Sequence, residues 1–160
     1  MTFVYTATPP ASDSEQEVEN DPWFPAITPA EVREACALDG TVTAARLRQA
    51  LLSSLDSVNE ELHDYREARE AEGHARLADV PARQLGGESV QLTRYRRAVL
   101  ACVQALVAEA HREIDTVPHS DGKEGRIRER IESKLQEHRR AMRWAISDLL
   151  GLPRHTVELI

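Results

Sequence analysis

The sequence predicts an all-α fold: a compact bundle of one short and three long helices with extended N- and C-terminal arms. Three observations carry this. Aromatic residues make up only 4% of the 160 residues, so the core must be built from Leu, Val, Ile and Ala, a palette that suits helices better than a sandwich or barrel. Apolar residues recur at gaps of three and four in three separate stretches, the spacing that puts them on one helical face. No stretch reads as an internal strand, and no solenoid-like repeat is visible. The length suits one domain with a modest core. We divide it into an extended acidic N-terminal arm over residues 1–27, a helical domain over 28–151 and a C-terminal tail over 152–160.

The arm is rich in Pro, Ser, Thr and acids up to Asn20, a composition that cannot fold alone. Trp23 and Phe24 then follow in adjacent positions, which demands burial on the helical body or on a neighbour. The first helix starts after Thr28, with Pro29 at its first position and Glu31 completing a capping box, and stops before Gly40. The second starts after Thr43 and carries Leu47, Leu51, Leu55, Val58, Leu62 and Tyr65 on one stripe. Gly73 is its expected stop, giving a rod of about 45 Å at ~1.5 Å per residue.

Pro81 and the Gly86-Gly87 pair make residues 74–87 a connection. The third helix runs from about Ser89 to Asp115. Leu92, Tyr95, Val99, Cys102, Leu106 and Ala110 mark one face, which Val103 and Val107 widen. As the most apolar helix it belongs at the centre. After a loop over 116–122, Asp121 caps the fourth helix, whose stripe is Ile127, Ile131, Leu135, His138, Met142, Ile146 and Leu149. Gly151 ends it and Pro153 prevents its resumption. The tail Thr156, Val157, Glu158, Leu159, Ile160 is β-branched and apolar, and needs a cover. A partner is the favoured cover; folding back on its own domain is the alternative.

Charge is placed unevenly. The net charge is −7. Residues 1–40 hold eight acids and one base, so the whole excess lies there and the remaining chain is neutral. No apolar run approaches the ~18–20 residues of a membrane span, and the first twenty residues lack the pattern of a signal peptide. The expectation is a cytoplasmic product without a membrane partner. Cys36 and Cys102 have neither disulfide-framework nor zinc spacing and read as small buried apolar residues.

The search for chemistry returns no catalytic, cofactor or metal residues. None of the six histidines lies in an HExxH, and no GxSxG or Walker lysine is present. His111, Glu113 and Asp115 diverge around a helix. His138 reads as a core or interface histidine, and the carboxylates from Glu60 to Glu70 as a solvated face. Two arginine clusters remain: Arg94, Arg96 and Arg97 around Tyr95, and Arg139, Arg140 and Arg143 before Trp144. Arginine beside an aromatic suits nucleic acid. A salt-bridged helix surface is the favoured reading and intersubunit ion pairs the intermediate one, so the six arginines are candidate intersubunit or DNA-facing residues. Eighteen of the twenty basic Lys and Arg residues are arginine, which favours bidentate contact to carboxylates.

Several segments in order carry a resemblance. They are Asn20-Asp21-Pro22-Trp23-Phe24-Pro25, Leu38-Asp39-Gly40-Thr41-Val42-Thr43, Arg46-Leu47-Arg48-Gln49-Ala50-Leu51 and Asn59-Glu60-Glu61-Leu62. Leu77-Ala78-Asp79-Val80-Pro81-Ala82, Gly87-Glu88-Ser89, Tyr95-Arg96-Arg97-Ala98-Val99 and Thr156-Val157-Glu158-Leu159-Ile160 follow. Over about residues 20–160 the chain resembles the phage head completion proteins of the GpL type, found in temperate contractile-tailed phages. The resemblance implies a structural adaptor without catalytic residues. It would form a ring, commonly of twelve subunits, under the portal protein in the virion neck, after assembly in the host cytoplasm. It would extend the channel for genomic DNA, without sequence-specific binding, and dock a downstream neck or tail-terminator protein. The tail residues 156–160 are then the candidate portal interface, and Trp23 and Phe24 the candidate arm anchor. The competing reading is a small helical nucleic-acid-binding or regulatory protein that uses the arginine clusters.

Overall fold

The structure, a computed structural model, describes residues 18–114 and 123–153. Residues 1–17, the loop with its expected Asp121 cap, and the tail residues Thr156–Ile160 lie outside these, as do the side chains of His111 and Glu113, and Asp115. The chain is mostly helical: α1 (Pro29–Ala35), α2 (Ala44–Glu61), α3 (His63–Ala71), α4 (Val90–Ile114) and α5 (Lys123–Leu150). The all-α expectation holds. A single 3-10 turn at Leu77–Asp79 and a minimal antiparallel hairpin, β1 (Gln84–Leu85) with β2 (Glu88–Ser89), occupy the α3–α4 connection. The Gly86-Gly87 pair supplies the hairpin turn at φ 60° and 83°, where side chains are disfavoured. The sequence places a connection here and does not anticipate its two short strands.

The local signals set the starts. Thr28 accepts from the Glu31 amide while the Glu31 carboxylate accepts from Thr28 N at 2.7 Å, a complete capping box. That backbone hydrogen bond holds the Glu31 carboxyl below its ordinary range. Thr43 caps α2 through the Arg46 amide. Three helix ends share one hydrogen-bond pattern, the paired bonds of a Schellman motif. At α3, His74 N donates to Arg69 O and Gly73 N to Glu70 O; at α5, Leu152 N donates to Ser147 O and Gly151 N to Asp148 O. At α1, Leu38 N donates to Arg33 O and Ala37 N to Glu34 O.

The left-handed residue is glycine at the first two ends but alanine at the third, with Ala37 at φ 50°. Relief of the Cβ clash is worth ~1–2 kcal/mol, offset by ~0.4–1 kcal/mol of extra unfolded-state freedom. Ala37→Gly is therefore expected to raise the unfolding free energy by about 0.5–1 kcal/mol. A lower melting temperature for that variant would refute the reasoning.

One long rod was expected over 44–72, but the structure bends it at Leu62. Leu62 has φ −99° and ψ 4°, and its N–H is shared between Val58 O at 3.1 Å and Asn59 O at 3.2 Å. The apolar spacing of Val58, Leu62 and Tyr65 stays helical through the bend, so periodicity cannot reveal it. The two helices also differ in packing: α2 buries Leu47, Leu51, Leu55 and Val58, whereas the mostly polar α3 buries no residue.

Helix α4 occupies the centre, packing on α2 along one side and on α5 along another. Tyr95, Ala98, Val99, Cys102 and Val103 fall at i, i+3, i+4, i+7 and i+8 and are buried in the main core. Helix α5 adds Ala145, Ile146 and Leu149. The same core contains Val18, Trp23, Phe24 and Ile27. Residues 18–27 thus lie on the helical body, between α2 and the connection that follows α3. Beyond the core, the guanidinium of Arg33 donates to the carbonyls of Asp39 and Val42, fastening the α1–α2 turn.

Candidate partner-binding surfaces

The Trp23-Phe24 pair is seated by its own turn and by long-range contacts. Asp21 Oδ1 accepts from Trp23 N at 2.9 Å, and Asp21 O accepts from Phe24 N at 3.0 Å, closing a local turn after Pro22. Trp23 is 3% exposed and Phe24 5%. Their rings meet edge to face at 4.9 Å, and Phe24 stacks on Tyr95 of α4 at 4.8 Å. Trp23 also meets the Tyr65 ring of α3, at 6.3 Å. The indole N–H donates to His74 O at 3.1 Å, while Trp23 O accepts from Leu77 N at 2.9 Å. Both faces of the polar backbone around the anchor are therefore satisfied inside the fold.

Beside the aromatic cluster lies a closed ring of hydrogen bonds that the sequence reading missed. Asn20 Nδ2 donates to the Tyr95 hydroxyl at 3.0 Å, the hydroxyl donates to Asn59 Oδ1 at 2.6 Å, and Asn59 Nδ2 donates to Asn20 Oδ1 at 3.0 Å. Asn20 also reaches Pro25 O at 2.8 Å. Each half-buried amide thereby uses both ends beside the fully buried Tyr95 ring. The nearest sequence signal was Asn59 itself, a mediocre helix former one turn before the bend. An ion pair from Arg66 of α3 to Asp21 closes the outer edge of the cluster.

The arginine clusters have intramolecular partners. Arg94 reaches Gln91 Oε1 at 3.3 Å, Arg96 pairs with Glu88, and Arg97 lies 3.8 Å from Asp148. Arg139 bridges to both carboxylate oxygens of Glu109, at 3.0 and 3.2 Å, tying α5 to α4. Arg140 lies over the Trp144 ring at 5.3 Å. Arg140 and Arg143 are exposed. The two groups thus sit on neighbouring helices, but the partners of Arg96, Arg97 and Arg139 are acids of the same chain, which lowers the positive potential available to a polyanion.

The thiols fit packing rather than chemistry. Cys102 is 7% exposed. Cys36, expected to be buried, is half-buried just past the end of α1. Burial pushes the Cys36 thiol up to about 11, far from the depressed values of reactive cysteines. Burial also raises the Cys102 thiol. Among the described residues His63, Asp64 and Glu67 come together on α3, with ligand atoms within 4.8 Å, but all three are exposed. The contact of His63 to Glu67 at 3.4 Å is an ordinary i,i+4 pair on a solvated face. No described helix is long and apolar enough to cross a membrane.

Residues 18–160 match the model of the phage head completion protein (GPL) family. The chain belongs to that family. It is 42% identical over 151 residues to the head completion/stabilization protein of Escherichia phage P2, covering 94% of this chain and 86% of that one. No solved structure matches. The family's part is structural, so this head completion protein is a virion-associated component. The match begins at Val18, which is buried in the core.

Proposed function

We propose that this head completion protein assembles as a homo-oligomeric ring, a dodecamer in the virion, beneath the portal protein in the phage neck. In this reading the ring extends the channel through which genomic DNA passes without sequence-specific contact. Its far side receives the downstream neck or tail-terminator protein. The observation that carries the portal contact is the stop at Gly151. A Schellman turn with Gly151 at φ 71° ends α5, and only four residues separate it from the apolar segment 156–160. Thr156, Val157, Glu158, Leu159 and Ile160 then dock on the portal, either in a groove or as an added strand. A ring multiplies each weak tail contact by avidity.

The packed arm, with Trp23 and Phe24 as its anchor, holds the remaining N-terminal residues in place for contacts between subunits. The arginine-bearing sides of α4 and α5 (Arg94, Arg96, Arg97, Arg139, Arg140 and Arg143) supply further subunit or channel contacts. Rings of this kind use heterologous interfaces that close by rotation.

The test mixes purified full-length protein with portal rings and measures the mass of the assembly. The wild-type chain is expected to add to the portal ring. A Val157→Asp/Leu159→Asp double variant should fail to add, while its circular dichroism spectrum stays that of the folded helical protein. Equal addition by the variant would remove the tail from the portal contact. For the arginines, the isolated protein is expected to give no salt-sensitive shift with duplex DNA at low salt. A shift abolished by substituting Arg139, Arg140 and Arg143 would instead favour the nucleic-acid-binding reading.

A further inference from the structure

A groove of about 380 Å³ runs along one side of α4. It is lined by Arg96, Arg97, Leu100 and Ala101 of α4, Cys36 just past the end of α1 and Ala141 of α5. From Thr93 to Gln104 the lining residues of α4 fall at gaps of three and four, so they form one stripe about 16 Å long. An apolar trough of this length invites an extended segment, and the chain carries one.

Three features favour residues 156–160 of the same chain as the occupant. The first is reach. Gln91 Nε2 donates to Leu149 O at 3.4 Å, and Arg97 lies 3.8 Å from Asp148, so the last turn of α5 is level with the start of the groove. After Leu152, only Pro153, Arg154 and His155 intervene. Extended, they cover about 10 Å, roughly one interhelical spacing. The second is length: five extended residues span about 16 Å, the length of the stripe. The third is pattern. In an extended segment Val157 and Leu159 point one way and Glu158 the other. An extended tail would thus offer two aliphatic side chains to the trough and the Glu158 carboxylate to the arginines. Glu88 already pairs with Arg96 there, whereas the contact of Arg97 to Asp148 is longer than a hydrogen bond and the Arg97 side chain is 47% exposed.

We infer that in the free subunit residues 156–160 lie in this groove of their own chain, covering Val157 and Leu159 until a partner takes the tail. The short linker holds the tail at an effective concentration of order millimolar, so it outcompetes the tail of a second copy at ordinary protein concentrations. The inference is independent of which partner later receives the tail.

Cys36 in the groove lining provides the readout. A full-length chain with Leu159→Cys in a Cys102→Ala background has two thiols. Diamide accepts two electrons and two protons as they join. Disulfide formation at monomer mobility is expected. Cross-linked dimers, or two thiols left free, would overturn the proposal. Because Leu159→Cys itself shortens the docking side chain, a second measurement keeps the tail intact. Iodoacetamide modification of Cys36 is timed in the Cys102→Ala chain, with and without Val157→Asp/Leu159→Asp. Modification about tenfold faster in the Asp variant is expected, the ratio for a docked state holding about 90% of the population. Equal rates would overturn the proposal, even if the same variant fails to join the portal.

Discussion

Trp23→Ala is expected to lower the free energy of unfolding by about 3–5 kcal/mol, the range for removing a buried large aromatic. The ring touches Phe24 and Tyr65, and its N–H satisfies His74 O, so truncation opens a cavity and also orphans a carbonyl. A domain of this size has only ~5–15 kcal/mol to lose. The effect on assembly follows from the effect on folding, since residues 18–27 share one core with α2 and α4. Denaturant unfolding followed by circular dichroism checks this. Leu85→Ala, at a hairpin residue 56% exposed, serves as the contrast and should change stability by less than about 0.5 kcal/mol. A Trp23→Ala loss below about 1 kcal/mol would mean that the arm segment is not part of the folded core.

The second large effect lies in the Asn20–Tyr95–Asn59 ring. Tyr95→Phe removes the donor to Asn59 and the acceptor of Asn20 together, and is expected to cost about 1–3 kcal/mol. The same variant has a signature in pH. Burial, with a smaller contribution from the Asp21 charge, pushes the Tyr95 phenol well above its ordinary value, against the opposing hydrogen bond from Asn20. The unfolded chain releases this proton near pH 10 while the folded chain keeps it, so the folded state is disfavoured progressively as pH rises past 10. Below pH 10 the contribution is fully present. Tyr65, Cys36 and Cys102 are also raised by burial and add to the alkaline loss in both proteins. The wild-type curve is therefore expected to fall more steeply above pH 10 than that of Tyr95→Phe. Parallel curves would rule out an un-ionised, buried phenol. Asn59→Ala leaves the Tyr95 donor and Asn20 Oδ1 without their partner. If the ring acts as a unit, the Asn59→Ala/Tyr95→Phe double variant loses less than the two singles together.

The helical elements were legible because their signals are local. The capping box from Thr28 to Glu31 and the glycines at 73 and 151 involve residues within one turn of each other. The stripes of α4 and α5 are equally local. The bend at Leu62 was not legible, since it changes backbone direction without changing the apolar spacing. The small hairpin around Gly86-Gly87 escaped because two-residue strands carry no period. Half of the surface reading was visible in the same way. Adjacent Trp and Phe in a polar segment announce burial, but not on what.

By itself, then, the sequence determined the class of fold, where most helices begin and end, the acidic excess before residue 41, and the family. The tertiary structure alone decided where residues 18–27 go, which acids answer the arginines, and that Asn20, Asn59 and Tyr95 meet. The physical reason is separation along the chain. Caps and stripes are fixed by neighbours three or four residues apart, and can be read in a line. The bond from Asn20 to Tyr95 crosses 75 residues, and that from Arg139 to Glu109 crosses 30. Such contacts exist only after the core has brought the helices together.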